Sequence, residues 1–332
     1  MRPRNRWWAP LVAGVLAVVV YAVLFVVLLL VSAVLPPEVT GAGALSEDWW
    51  SEAADLETDP FGLSDPVVFV WTMALIILLL PATLLGSRLA QGRGVGLLSS
   101  VAGRIRWRWM GRMLALAAVL MVALVAVQVV ITLALGERID VRWDRPGLAW
   151  TLVLIVLLIP LQAAAEEYVF RGYLMQLVGR WLKHPAFAVL IPVPLFVLGH
   201  TYDVWGSLGV GIFAALMAWI TWRTGGLEAA IALHAVTNLN AMIIPALGIS
   251  EATATTVNPV DLLWTLLLDG VFTVLALLWA KRSGLTCSRA SSSAVERSPR
   301  APELPGTPLA PGQRIDLPMP DANADQAREG RP

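Results

Sequence analysis

The chain has 332 residues, of which 57% are hydrophobic and only 14% charged, far too apolar for an ordinary water-soluble domain. Its 24 basic and 24 acidic residues balance to zero net charge, so the basic footprint of nucleic-acid binding is missing. A single cysteine, Cys287, allows neither an intrachain disulfide nor a cysteine-based metal cluster.

A helix that crosses a bilayer needs about 17–25 mostly apolar residues. Such runs occur at 11–35, 66–87, 113–135, 207–222, 227–247 and 262–280. Residues 148–177 read as one longer helix, and 185–200 as a shorter run broken by prolines. Together these predict an all-α, polytopic membrane helix bundle of about eight spans. The first run follows the basic "MRPRNR", but it is longer than the 7–15 apolar residues of a signal-peptide core. It reads as a retained transmembrane helix.

Basic residues set the expected orientation. Arg2, Arg4 and Arg6 precede the first span; loop 36–65 carries eight acidic residues and no basic one. The next loop holds Arg88, Arg93, Arg104, Arg106, Arg108 and Arg112, and the one after it is mixed in sign. Arg180 and Lys183, Arg223, and then Lys281 with Arg282 follow later spans. This alternation predicts both termini in the cytoplasm. Arginine supplies 22 of the 24 basic residues, a bias that suggests a GC-rich bacterial host and hence a bacterial plasma membrane. Tryptophans such as Trp7, Trp8, Trp107, Trp109, Trp150, Trp181, Trp222 and Trp279 fall near span ends, as an interfacial aromatic belt requires. Three regions follow: 1–147, with helices 1–3, an acidic outer loop and a basic inner loop; 148–282, the remaining transmembrane core; and 283–332, a Pro-, Ala- and Ser-rich disordered cytoplasmic tail.

Ionisable residues inside spans are rare and default to functional candidates. Here they are Glu166, Glu167, Arg171, His200, His234 and Asp269, with Asn238 and Gln128 as uncharged polar neighbours. In "AAAEEYVFRGYL" Glu167 and Arg171 are i and i+4 on one helical face and can neutralise each other. Glu166 points elsewhere, and its own i+4 neighbour is Phe170. A spare carboxylate in a low-dielectric site suits a general base. "FVLGH" sets Phe196 and His200 at i and i+4, and "HAVTN" does the same for His234 and Asn238. His184 reads as an interface loop residue, and Asp269 as a partner for a polar neighbour such as Gln128 or as a cavity lining. The chain has no H-E-x-x-H helix, nucleophile elbow or P-loop.

Read in order, E-E-x-x-x-R (Glu166, Glu167, Arg171), F-x-x-x-H (Phe196, His200) and H-x-x-x-N (His234, Asn238) resemble the CAAX prenyl protease and bacteriocin-processing family of intramembrane proteases, also called CPBP or Abi. The likeness covers about residues 148–245. It implies peptide-bond hydrolysis on a peptide or membrane-protein substrate in the lipid bilayer. By the same resemblance Glu166 activates water, His200 helps to position it, and His234 and Asn238 stabilise the oxyanion. Glu167 and Arg171 support the helix, and Phe196 completes the second motif. Members are conventionally labelled metalloproteases; Glu166, His200 and His234 would then be three zinc ligands. A metal-free glutamate mechanism uses the same residues, and both readings stand here, with a lean to the second. A transporter that uses buried Glu, His and Asp as a proton relay, or a non-catalytic membrane scaffold, are the alternatives from other classes. The oligomeric state is not legible. One tension accompanies the resemblance: hydropathy puts His200 toward the outer end of its span and the Glu pair toward the inner half of theirs. For them to meet, the fifth span must tilt or break.

Overall fold

The computed structural model describes residues 7–34, 63, 65–249, 257–285 and 287. Most of the acidic loop and all of 288–332 lie outside the described residues, so the expectation of a disordered tail falls there. Among the described residues the regular elements are helical, with one isolated bridge between Ser100 and Gly226.

In chain order the helices are α1 (Ala9–Val34), α2 (Pro66–Ile77), α3 (Leu79–Gln91), α4 (Trp107–Ala134), α5 (Leu148–Glu167), α6 (Met175–Trp181), α7 (Pro185–Leu190), α8 (Pro192–Leu198), α9 (Val204–Thr224), α10 (Glu228–Ala246) and α11 (Pro259–Arg282). Helices α2 and α3 form one span, and α5 and α6 another. Seven helical stretches among the described residues are long and apolar enough to cross a membrane, and α7–α8 is a shorter apolar helix. The protein is therefore an all-α, multi-pass membrane bundle.

Local chemistry starts these helices where the sequence changes character. Asp65 caps α2: its Oδ1 accepts from Val67 N at 2.7 Å, and Pro66 occupies the first turn. Asp203 caps α9 through Gly206 N at 2.9 Å, and Asn258 caps α11 through Val260 N at 2.9 Å, again with a proline next. His184 accepts from Ala186 N at 3.3 Å and so starts α7. Helix α9 ends at Gly225, whose φ of 67° is left-handed, a conformation glycine adopts without penalty. Helix α4 begins at Trp107, six residues before its apolar run, so Arg108 and Arg112 lie on the helix. Trp109 is not part of an interfacial belt: it is buried and packs edge-on against Trp279, ring centroids 6.3 Å apart.

The main core gathers Trp109 and Met113 of α4, Phe196 of α8, Phe213 and Met217 of α9, Leu233 of α10, and Leu268 and Phe272 of α11. Helix α10 is its axis. Every residue from Leu227 to Ala235 is buried, which explains the run of alanines there: small side chains let neighbours approach. The start of α10 is tied to the start of α4. Glu228, fully buried, accepts from Arg106 N (2.8 Å), Nε (2.9 Å) and Nη2 (2.7 Å), while Arg106 Nη1 donates to Thr224 O at 3.0 Å.

The fifth span is broken. Ile191 separates α7 from α8, because Pro192 and Pro194 remove backbone donors. At 1.5 Å per residue, 185–198 reaches only about 21 Å, short of a bilayer core of about 30 Å. His200 follows on the turn after α8 and lies inside the bundle.

Candidate active site

The opening motif lies where the fourth span changes helical type. Tyr168–Leu174 is π-helical between α5 and α6. Such insertions shift the faces of a helix and often accompany functional sites. Here the carboxylates sit at the end of α5 and Arg171 within the wider turn, yet Arg171 Nη1 still reaches Glu167 Oε1 at 2.8 Å.

Glu167 has a second partner. His234 Nδ1 lies 2.8 Å from the same Oε1. Glu167 is fully buried and His234 and Arg171 nearly so. A carboxylate oxygen facing a ring nitrogen accepts, so Nδ1 carries the proton and the imidazole is held in one orientation. That turns His234 Nε2 toward Glu166, whose Oε2 is 3.4 Å away. The two are at ion-pair distance but not aligned as a hydrogen bond. Glu166 retains 13% side-chain exposure. The two adjacent carboxylates are thus unequal, as the sequence suggested: one locked, one open.

Phe196 is the surface against which the charged groups rest. The Arg171 guanidinium carbon sits 4.4 Å from its ring centroid, within cation–π range. His200 lies 4.7 Å and His234 6.0 Å from it, centroid to centroid, and Phe170 packs edge-on at 4.9 Å. Phe213 closes the other side of His234 at 5.2 Å. Arg171 Nη2 also donates to Ala214 O at 3.1 Å, which ties the motif to α9. His200 Nδ1 is 2.8 Å from Phe196 O. A carbonyl only accepts, so Nδ1 is the protonated nitrogen, and in the neutral ring Nε2 is an acceptor. Tyr202 stacks on His200 at 6.1 Å and 19°. Partial burial first, and the Glu166 carboxylate second, push its phenol above the ordinary range. It stays a neutral donor.

Asn238, one turn beyond His234, donates from Nδ2 to Gln162 Oε1 at 3.0 Å. Gln162, one turn before Glu166, is a site residue that the sequence reading passed over. Its signal was present: a lone amide in an apolar run, at i−4 from Glu166. Glu228, inside the seventh run, was passed over too. Asp269 is fully buried, and neither of its carboxylate oxygens has a hydrogen-bond partner among the described residues. It makes no bond to Gln128. No three His, Cys, Asp or Glu side chains come together among the described residues as a group able to hold a metal ion.

Residues 148–240 match the family described as Type II CAAX prenyl endopeptidase Rce1-like. These residues form an Rce1-like domain. The domain spans α5 through most of α10 and contains all three motifs. Over 191 residues the chain is 28% identical to a Bacillus subtilis (strain 168) protein named "Uncharacterized protein YyaK", covering 55% of this chain and 63% of that protein. The chain thus spans somewhat less than two thirds of this relative's length. No solved structure matches the chain. Outside the Rce1-like domain, α1–α4 and α11 pack around it as further apolar helices.

Proposed function

We propose that the protein is an intramembrane endopeptidase that hydrolyses a peptide bond of a membrane-associated substrate with a water activated by Glu166. The observation that carries this reading is the chain Arg171–Glu167–His234–Glu166. Its first two contacts are 2.8 Å, and it leaves the last carboxylate partly open. The Rce1-like domain supports the same class of chemistry.

Glu166 takes one proton from water, and the resulting hydroxide oxygen bonds to the scissile carbonyl carbon. The carbonyl π pair moves to oxygen. Collapse breaks the C–N bond, and the proton held by Glu166 passes to the departing amine. The oxyanion needs donors, and His234 supplies one only if Nε2 is protonated as well as Nδ1. His234 then acts as an imidazolium. With Glu166 and Glu167 ionised and Arg171 and His234 cationic, the buried group sums to zero charge, the arrangement a low-dielectric site favours. When Glu166 takes the proton, the oxyanion carries the negative charge and the sum is unchanged. Asn238 Nδ2 is the second oxyanion donor: one of its two hydrogens stays with Gln162 Oε1 and the other faces the substrate. His200, with its Nε2 lone pair, orients the water.

The protein is expected in a bacterial plasma membrane with the arginine-rich end of the bundle in the cytoplasm. Purified protein reconstituted with a membrane-peptide library tests the reading. Cleavage by the wild type that disappears in Glu166→Ala and His200→Ala supports it; cleavage that survives both substitutions removes the site assignment.

A further inference from the structure

The two ends of the bundle differ in charge and in how they close over the site. One end carries Arg104, Arg106, Arg180, Lys183, Arg223 and Lys281. It includes the turn between α9 and α10, since Leu227 N donates to Ser99 O at 3.0 Å and Arg106 holds Glu228. The opposite end is balanced in sign, with Glu137, Asp140 and Asp144 against Arg138, Arg142 and Arg145. Arg142 N donates there to Leu247 O at 2.9 Å, just past the end of α10. The start of α9 lies at this end too: Val257 N, just before α11, lies 3.3 Å from the capping Asp203 Oδ1.

Helix α10 runs from the first end to the second and changes character at the site. From Leu227 to Ala235 every residue is buried; from Val236 to Pro245 only Met242 is. On the basic side the site is shut by Leu227, Ile220 and Leu98, by the Arg106–Glu228 pair, and by Ser99 and Tyr168, whose hydroxyls meet at 2.6 Å. On the other side Glu166 is partly open, His200 and Asn238 are half-buried, and Thr201 and Tyr202 are exposed. The short fifth span makes this possible, since it ends before the far surface and leaves the turn 199–203 as the rim.

Basic loops stay in the cytoplasm. From these observations we infer that the site opens toward the extracytoplasmic side, with Thr201 and Tyr202 on its rim. The substrate is then a membrane segment or exported peptide whose scissile bond lies in or near the extracytoplasmic leaflet. A chain terminus presented from the cytoplasm meets the closed side. The statement about substrate rests on the peptidase reading; the sidedness of the opening does not.

Single-cysteine labelling with a membrane-impermeant maleimide tests it, because a thiol reacts as the thiolate and so reports water at its position. Tyr202→Cys and Thr201→Cys are each placed in a Cys287→Ser background. Native Cys287, exposed and just beyond the basic end of α11, is the opposite-side control. The expected result is labelling of the rim cysteines in intact cells and of Cys287 only in inverted membranes. Rim cysteines labelled only in inverted membranes overturn the inference, and so do rim cysteines that accumulate in the membrane but are labelled from neither side. Thr201→Cys carries the test if Tyr202→Cys does not accumulate. The readout needs no cleavage, so a protein that fails as a peptidase still reports the side of its opening.

Discussion

Glu167 and His234 meet at 2.8 Å between the fourth span and α10, on the same carboxylate oxygen that binds Arg171. One buried carboxylate thus holds both the guanidinium of its own helix and the imidazole of another. Glu167→Gln keeps the shape and removes the charge, leaving the buried Arg171 guanidinium without its paired carboxylate. Removal of one member of a buried pair costs about 3–5 kcal/mol. The variant is expected to melt at clearly lower temperature in detergent than the wild type and to lose cleavage. An unchanged melting temperature would show that the shared oxygen does not hold the helices together.

Asp269 gives the opposite expectation. It is fully buried, its oxygens have no hydrogen-bond partner among the described residues, and its charge acts across space on His234 rather than in a direct contact. Asp269→Asn is nearly isosteric and removes a costly ionisable group. Neutral or stabilising replacement is common for such groups, with gains of up to a few kcal/mol. Thermal unfolding should show an equal or higher midpoint, with cleavage retained. A large loss of cleavage would assign Asp269 a place in the chemistry.

In the proposed mechanism Asn238 is a reacting group and Gln162 a positioning one. Loss of one oxyanion donor typically costs about 10²–10³ in kcat, and Asn238→Ala should fall in that range with little change in KM. Gln162 acts only through the Asn238 amide at 3.0 Å. Gln162→Leu should lose activity, and Gln162→Glu, which keeps an acceptor oxygen, should recover much of it. Equal loss in both Gln162 variants would contradict a positioning role.

Metal dependence is open to direct measurement. His200 and His234 each hold Nδ1 toward an oxygen, Phe196 O and Glu167 Oε1, an arrangement that metal-bound histidines share; the expectation rests on the three candidate ligands not being gathered as a metal-holding group among the described residues. Cleavage is expected to persist after exhaustive chelation, with no stoichiometric zinc in the purified enzyme by elemental analysis. Activity that vanishes on chelation and returns with zinc would establish the metalloenzyme.

The sequence disclosed the class of fold through the length of its apolar runs, and the candidate site through polar groups that lipid makes conspicuous. Glu166, Glu167, Arg171, His200, His234 and Asn238 were all visible this way. Proline placement also signalled the broken fifth span, which places His200 within the bundle. Tertiary partners were not legible. Nothing local in "EEYVFRGYL" announces a π-helical turn, since its register is decided by packing against other helices. Arg106 and Glu228 are 122 positions apart, and each reads alone as an ordinary interfacial charge. Glu167 looked fully explained by Arg171, because an i,i+4 pair hides a second partner 67 positions away. Gln162 was in plain view, but an uncharged amide draws less notice than a carboxylate in the same run.

The central claim is that Glu166 moves the proton from water, and Glu166→Gln tests it most directly. The substitution preserves size and leaves the Glu167–Arg171–His234 contacts in place, so the protein should fold and melt as the wild type does. Single-turnover cleavage of a reconstituted membrane peptide is the measurement. Loss of a general base typically costs about 10²–10⁴ in rate, and a loss of that size in a normally folded variant is the predicted result. Wild-type cleavage by Glu166→Gln would contradict the account.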